Sequence, residues 1–232
     1  YVQKSAVTLT TGKTVDTWAF FTNAEANLWK EATTYLDRSV KFYSDLVGAY
    51  PYAHSTAVQS ALSAGGGMEY PMITVIGLSG TAQALDEVTT HEVGHNWFYG
   101  ILGFNERDHP WMDEGINSYY DHRYSRQYYT DTRFLDGETA TWFFRDSPID
   151  LLELGYLHQA RPHEDQAPET TSDEFKYINY WLGAYEKPAV SLRWLEEYIG
   201  AEDFDKYFQD FYQQWKFRHP QPADLRTHLE NA

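Results

Sequence analysis

Two histidines four residues apart stand in the stretch His91-Glu92-Val93-Gly94-His95. On a helix this spacing stacks both imidazoles on one face, where a single tetrahedral zinc ion can take a nitrogen from each. Glu92 lies about 100° round the helix. It is badly angled to join them as a ligand, and in an H-E-x-x-H helix it is the expected general base toward a water on the metal. Glu114, in Trp111-Met112-Asp113-Glu114-Gly115, can supply the third ligand. The intervening residues, 96 to 113, are enough to finish one helix, turn, and begin a second facing back at the metal. The competing reading is an amphipathic helix with two solvated histidines. A carboxylate at one fixed downstream position favours the metal.

The elements that must hold these residues follow from the patterning. Val2 to Leu9 and Thr14 to Phe20 alternate as two strands around a turn at Thr11-Gly12. Thr22-Asn23-Ala24-Glu25 has the form of a capping box, and Leu28, Ala32, Tyr35, Leu36, Val40, Tyr43 and Val47 continue as a helical stripe until Gly48 and Pro51. Thr56 to Leu62 reads as a strand broken by Ala64-Gly65-Gly66-Gly67. Met68 to Ile76 resumes as one extended run that Pro71 confines to an edge. The metal helix is expected to begin at Asp86. Beyond Gly103 the chain reads as almost wholly helical: residues 111–131 with Glu114 near the start, 138–157, then, after a loop at 158–174, about 176–184, 188–199, 202–217 and from 222 onward. The pattern predicts an α+β domain in two lobes. Residues 1–103 form a strand-rich α/β lobe ending with the zinc-binding helix, residues 104–232 a helical lobe, and the zinc site falls at the seam.

Composition narrows the function classes. The 232 residues carry a net charge of −16, which excludes nucleic acid as a partner. No run of eighteen apolar residues exists, so no transmembrane segment is expected. The absence of cysteine removes disulfides and thiolate ligands from consideration. Residues 101–200 hold 19 acidic and 9 basic side chains, including Glu164, Asp165, Glu169, Asp173 and Glu174 in one loop. That loop is either simply solvated or a field favouring cationic substrate ends. His158 and His163 read as surface or capping residues, Asn117 and Ser118 as partners that could orient a ligand. The chain opens on Tyr1 without a signal-like segment and stops inside a helix-like pattern, and so reads as a piece of a longer polypeptide.

Four stretches carry a resemblance: Gly65-Gly66-Gly67-Met68-Glu69-Tyr70-Pro71, His91 to Gly100, Trp111 to Gly115, and Tyr185-Glu186-Lys187-Pro188. In these the chain resembles the gluzincin metallopeptidases and, more narrowly, the catalytic domain of the aminopeptidase N family, which includes membrane alanyl aminopeptidases and the leukotriene hydrolase. The resemblance implies a thermolysin-like catalytic domain with one zinc ion, acting on peptides with a free N-terminus. It also implies flanking domains, and it leans toward the cell envelope or the outside. Carried over by position, His91, His95 and Glu114 bind zinc and Glu92 is the general base. Glu69 binds the substrate's α-ammonium, Gly65, Gly66, Gly67 and Met68 form the edge along which the peptide lies, and Tyr185 steadies the oxyanion. Tyr180, five residues earlier, could also reach the cleft. The sequence departs from the family pattern at Tyr70, where Asn is usual, and at Pro188, where Gly is usual. Two other readings are a thermolysin-type endopeptidase, which would lack a functional Glu69 anchor, and a non-catalytic scaffold that keeps the fold. Epoxide hydrolysis, as in the leukotriene branch, is favoured by nothing specific in the sequence.

Overall fold

The computed structural model describes residues 1–62, 66–129 and 151–231. Two strands, β1 (Val2–Thr8) and β2 (Thr14–Phe20), pair antiparallel across a turn in which Gly12 takes a positive φ of 84°. Along β2 alternate residues point inward, burying Val15, Thr17 and Ala19. After a single helical turn, α1 (Ala26–Trp29), the long helix α2 (Ala32–Leu46) buries Leu36, Val40 and Tyr43. Strand β3 (His54–Gln59) lies parallel to β2, and β5 (Ile73–Ile76) parallel to β3. The two-residue strand β4 (Gly67–Met68) closes the sheet antiparallel to β5, giving the order β1-β2-β3-β5-β4. Helix α3 (Ala82–His95) follows. The architecture is mixed sheet with helices, an α+β domain.

Several expectations change in detail. Met68 to Ile76 is not one run but a hairpin, because Pro71 has no N–H to give a ladder and Met72 takes a left-handed φ of 66° that turns the chain back. Helix α3 begins four residues before Asp86, where the Thr81 side chain accepts from the Ala84 amide. The capping box does not close. Thr22 Oγ1 accepts from the Ala24 amide, while the Glu25 carboxylate reaches away to the Ser79 and Gly80 amides. The helical stripe starts at Trp29, which is fully buried, rather than at Leu28. The expected helix at 138–157 falls largely outside the described residues, and its described end, in α5 (Leu151–Ala160), runs three residues past the expected stop.

The chain forms two compact units, Tyr1–Phe104 with Ile199–Ala232, and Asn105–Tyr198. The C-terminal segment therefore groups with the strand-rich part and not, as the expected lobes had it, with the helices before it. Its two helices, Ala201–Trp215 and Pro222–Glu230, explain this. Gln209 Nε2 donates to the Leu46 carbonyl at 3.2 Å and the Phe217 amide to Ile101 at 2.7 Å. Gly48 has no room for a Cβ against the Tyr212 ring. In the second unit, α4 (Ile116–Tyr128) buries Ile116, Tyr120 and Tyr124 at four-residue spacing. The segment Tyr177–Ile199 runs through without the expected break, as α6 (Tyr177–Tyr180), a wide stretch at Trp181–Glu186, and α7 (Lys187–Ile199). Among the described residues no helix is long and apolar enough to cross a membrane.

Within the first unit α2 and α3 are fastened by polar side chains. Arg38 pairs with Asp86, which is fully buried, and Ser39 and Thr90 share a hydrogen bond of 2.7 Å. Arg38→Met would leave the Asp86 carboxylate buried without its guanidinium, at an expected cost of about 3 kcal/mol. Urea unfolding of the variant beside the parent measures it, and a change of less than about 1 kcal/mol would contradict the buried pairing.

Candidate active site

In the first unit the chemistry sits at the end of α3. His91 and His95 present their Nε2 atoms to each other at 3.1 Å, with ring centroids 4.7 Å apart and the planes nearly perpendicular. His95 is buried and His91 half-buried. Glu92, 5% exposed, leans across to β4, where a Cβ built on Gly67 would collide with its carboxylate. A glycine is needed there for the carboxylate to lie as it does. Gly67 and Met68 pair with Ile76 and Val75, and the Met68 carbonyl accepts from Thr74 Oγ1 at 3.1 Å. Glu69 follows directly, half-buried at the end of the edge strand. Gly66 takes a φ of 66°, its carbonyl accepting from the Gly77 amide. Gly65 lies outside the described residues. The structure thus gathers His91, His95, Glu92 and Gly67 at one place and sets Met68 and Glu69 on the adjoining edge.

In the second unit Glu114 and Tyr185 come together. Glu114 lies in a π-helical stretch, Trp111–Gly115, that leads into α4, and Tyr185 lies in another, Trp181–Glu186. The two stretches are in contact: a Cβ on Gly115 would collide with the Pro188 ring and meet the Ala184 carbonyl at 2.7 Å. Burial raises the Tyr185 phenol far above the usual tyrosine range, and the charge of Glu114 and a hydrogen bond to it raise it further. The hydroxyl therefore keeps its proton at any physiological pH. The Tyr180 ring meets Tyr185 edge-on at 5.8 Å. Asn117 and Ser118, one turn beyond Glu114, are buried. His158 and His163 are exposed.

Some residues that matter here gave no signal in the sequence. Glu169, read there as one acid among several in a loop, accepts from Trp111 Nε1 at 2.6 Å and lies 2.7 Å from His109 Nδ1. Asp165 pairs with Lys187 at 2.7 Å, and that neighbour holds its carboxyl below the usual range. The acidic loop is therefore fastened down, not merely solvated. Asn96, directly after His95, is 1% exposed and hydrogen-bonded through both the oxygen and the nitrogen of its amide. Only its tertiary partners mark it out.

The model of the peptidase family M1 domain matches residues 34–232. The chain belongs to this family. A probable aminopeptidase 2 from Sulfurisphaera tokodaii is 29% identical over 149 residues, 62% of this chain and 18% of that protein. The fold is shared with a two-domain M1 zinc metallopeptidase solved with L-arginine, at a TM-score of 0.73 and 17% identity, over 100% of this chain and 48% of that one. It is shared also with aminopeptidase A of Legionella pneumophila in complex with aspartic acid, at a TM-score of 0.72 and 13% identity, over 100% of this chain and 26% of that one. This M1 domain spans about a fifth of the length of the curated relatives it matches.

The close fit at Gly115 gives the M1 domain a sensitive point. Gly115→Ala must displace both the Pro188 ring and the Ala184 carbonyl, and overpacking of this kind typically costs about 1–3 kcal/mol. Chemical denaturation is expected to show that loss. A variant as stable as the parent would mean that the two π-helical stretches do not pack this closely.

Proposed function

We propose that this M1 domain is the catalytic domain of a zinc-dependent aminopeptidase, which hydrolyses the first peptide bond of peptides with a free N-terminus. The observation that carries the reading is the His91–His95 pair. A tetrahedral ion at 2.0–2.1 Å from two imidazoles sets their nitrogens about 3.3 Å apart, and the two Nε2 atoms stand at 3.1 Å. A zinc ion fits that pair, with Glu114 as the third ligand. The relatives, among them a leucyl aminopeptidase of Saccharolobus solfataricus, support the same class. Zinc in such a site supplies Lewis acidity, acidifying water and polarising the scissile carbonyl.

The chain's own residues do the rest in this reading. Strand β4 is the margin of the sheet, so its outer backbone groups are available to pair with a substrate peptide as an added strand. Glu69, at the end of that margin, binds the α-ammonium and fixes where the peptide begins. Glu92 accepts a proton from the attacking water and returns it to the leaving amine. Tyr185 donates its hydroxyl hydrogen to the oxygen that gains charge. Tyr180 walls the site beside it. The assignment is to the full-length protein, whose further domains, by the length of the relatives, help enclose the site.

Comparing an aminoacyl anilide with its N-acetylated form on the full-length protein tests the exopeptidase role. A charge-assisted bond worth about 1.5–3 kcal/mol predicts a loss of roughly tenfold to a hundredfold in kcat/KM on acetylation. Equal hydrolysis of the two would instead mark an endopeptidase. Metal analysis should find one zinc per chain, removed by Glu114→Ala. Metal content unchanged by that substitution would refute the ligand set.

Tyr185→Phe is expected to lower kcat on the order of 10²–10³. A kcat within about threefold of the parent would refute the donor role.

A further inference from the structure

We propose that Asn96 is a positioning residue that sets where the substrate's amino end is held. Its side-chain amide ties the hairpin carrying Glu69 to the end of the helix carrying His91 and His95. The proposal rests on the aminopeptidase reading of Glu69 and goes beyond it.

The hairpin is held by a few bonds of its own: the Ile73 amide donates to the Tyr70 carbonyl at 3.0 Å, Thr74 Oγ1 to the Met68 carbonyl at 3.1 Å, and from β3 the Thr56 amide to the Met72 carbonyl at 2.9 Å. Strand β4 is two residues long, and only Gly67 and Met68 pair with β5. Isolated two-stranded hairpins are marginal in water even when longer. At the turn Pro71 has no amide hydrogen to offer. Met72 adopts a φ of 66°, a conformation that a side chain with a Cβ disfavours and that its surroundings must hold. The side chains of Tyr70 and Ile73 are 54% and 47% exposed, so the outer side adds little grip.

Asn96 supplies the hold from the inside. Its Oδ1 accepts from the Met72 amide at 2.7 Å and from the Tyr50 hydroxyl at 3.3 Å, and its Nδ2 donates to the Val93 carbonyl at 2.9 Å. The opposite amide orientation would set donor against donor at Met72 and acceptor against acceptor at Val93, so the network admits one orientation. Asn96 and Tyr50 are both buried, 1% and 0% exposed, and losing a partner there leaves polar groups unsatisfied away from water. Asn96 is bonded to His95 on one side. On the other, Trp97 is pinned by its Nε1 donating to the Gly48 carbonyl at 2.7 Å. Met72 lies three residues after Glu69. The Asn96 amide is thus a short rigid link between the histidine pair and the candidate ammonium anchor.

A link of this kind acts on placement. Without it the hairpin keeps its few ladder bonds while Glu69 loses its fixed position relative to the histidines. Recognition of the free amine suffers first, and the machinery of bond cleavage much less.

The test uses the zinc-loaded full-length protein and two variants, Asn96→Ala, which removes both functions of the amide, and Asn96→Asp, which keeps an acceptor for Met72 and Tyr50. Zinc content, kcat and KM are measured for an aminoacyl anilide and for its N-acetylated form. For Asn96→Ala the expected result is unchanged zinc, KM for the free amine raised roughly tenfold, kcat within about threefold, and the preference for the free amine reduced roughly tenfold. Asn96→Asp should recover only part of that preference, because its second oxygen faces the Val93 carbonyl without a hydrogen to offer. If Asn96→Ala keeps the parent's KM and preference, or loses both substrates in equal proportion, the positioning role is wrong. If Asn96→Ala does not fold, Asn96→Ser is read by the same criteria. A parent that shows no preference for the free amine refutes the aminopeptidase reading and this proposal with it. A parent with the preference, matched by Asn96→Ala, refutes this proposal alone.

Discussion

Helix α3 buries a polar face, and helix α2 pairs part of it within the first unit. Asp86, Thr89, Thr90, Glu92 and His95 are each 5% exposed or less. Sequestering such groups is unfavourable by several kcal/mol apiece unless each finds a partner. Helix α2 supplies Arg38 and Ser39, while the β4–β5 hairpin brings Gly67 against Glu92. The apolar core does the bulk stabilisation, with Trp97 stacked on Tyr43 and close to Tyr50 at ring distances of 5.2 and 5.1 Å. Orientation comes from the polar contacts. An apolar helix could rotate a few degrees against the sheet at small cost, whereas one pinned by short polar bonds cannot.

The same logic recurs in the second unit with different groups. Glu114 and Tyr185 occupy two π-helical stretches pressed together at Gly115. Around them Glu169 holds Trp111, and Asp165 holds Lys187, one on each stretch or at its end. The acidic loop thereby supplies anchoring carboxylates to both elements that carry the candidate chemistry. This is a more specific use of its charge than a general field.

What the sequence disclosed and what it withheld divide along physical lines. Periodic features were readable: the alternation of β2, the α2 stripe from Ala32 to Val47, the four-residue spacing of Ile116, Tyr120 and Tyr124, and the histidine pair itself. Each is a local regularity that follows from helix or strand pitch. Features set by tertiary partners were not readable. Asp86 looks like a helix-starting acid until Arg38 is placed beside it. Glu25 looks like a capping residue until the Ser79 and Gly80 amides arrive from more than fifty positions away. The hairpin at Pro71-Met72 looks like one strand, because Ile, Val and Thr on either side share one propensity. The return of Ile199–Ala232 to the first unit has no local signature, since its aromatic stripe would suit any helix with a core to face.

The π-helical stretches have a consequence for how the chain tolerates change in length. Each of Asn96–Ile101, Trp111–Gly115 and Trp181–Glu186 is a place where the backbone ladder skips a step, as in a regular coil that has absorbed surplus chain. Side chains on either side of such a stretch are out of phase with the ordinary pitch, by about 100° for each surplus residue. Deleting one residue there would let the ladder close normally and leave the helix downstream on its present bearing, while the side chains within the stretch itself would lose theirs, with composition and hydropathy almost untouched. For Asn96, Glu114 and Tyr185, facing is thus fixed by the count of residues as much as by their identity, and alignments that place gaps freely in these three windows would misread it.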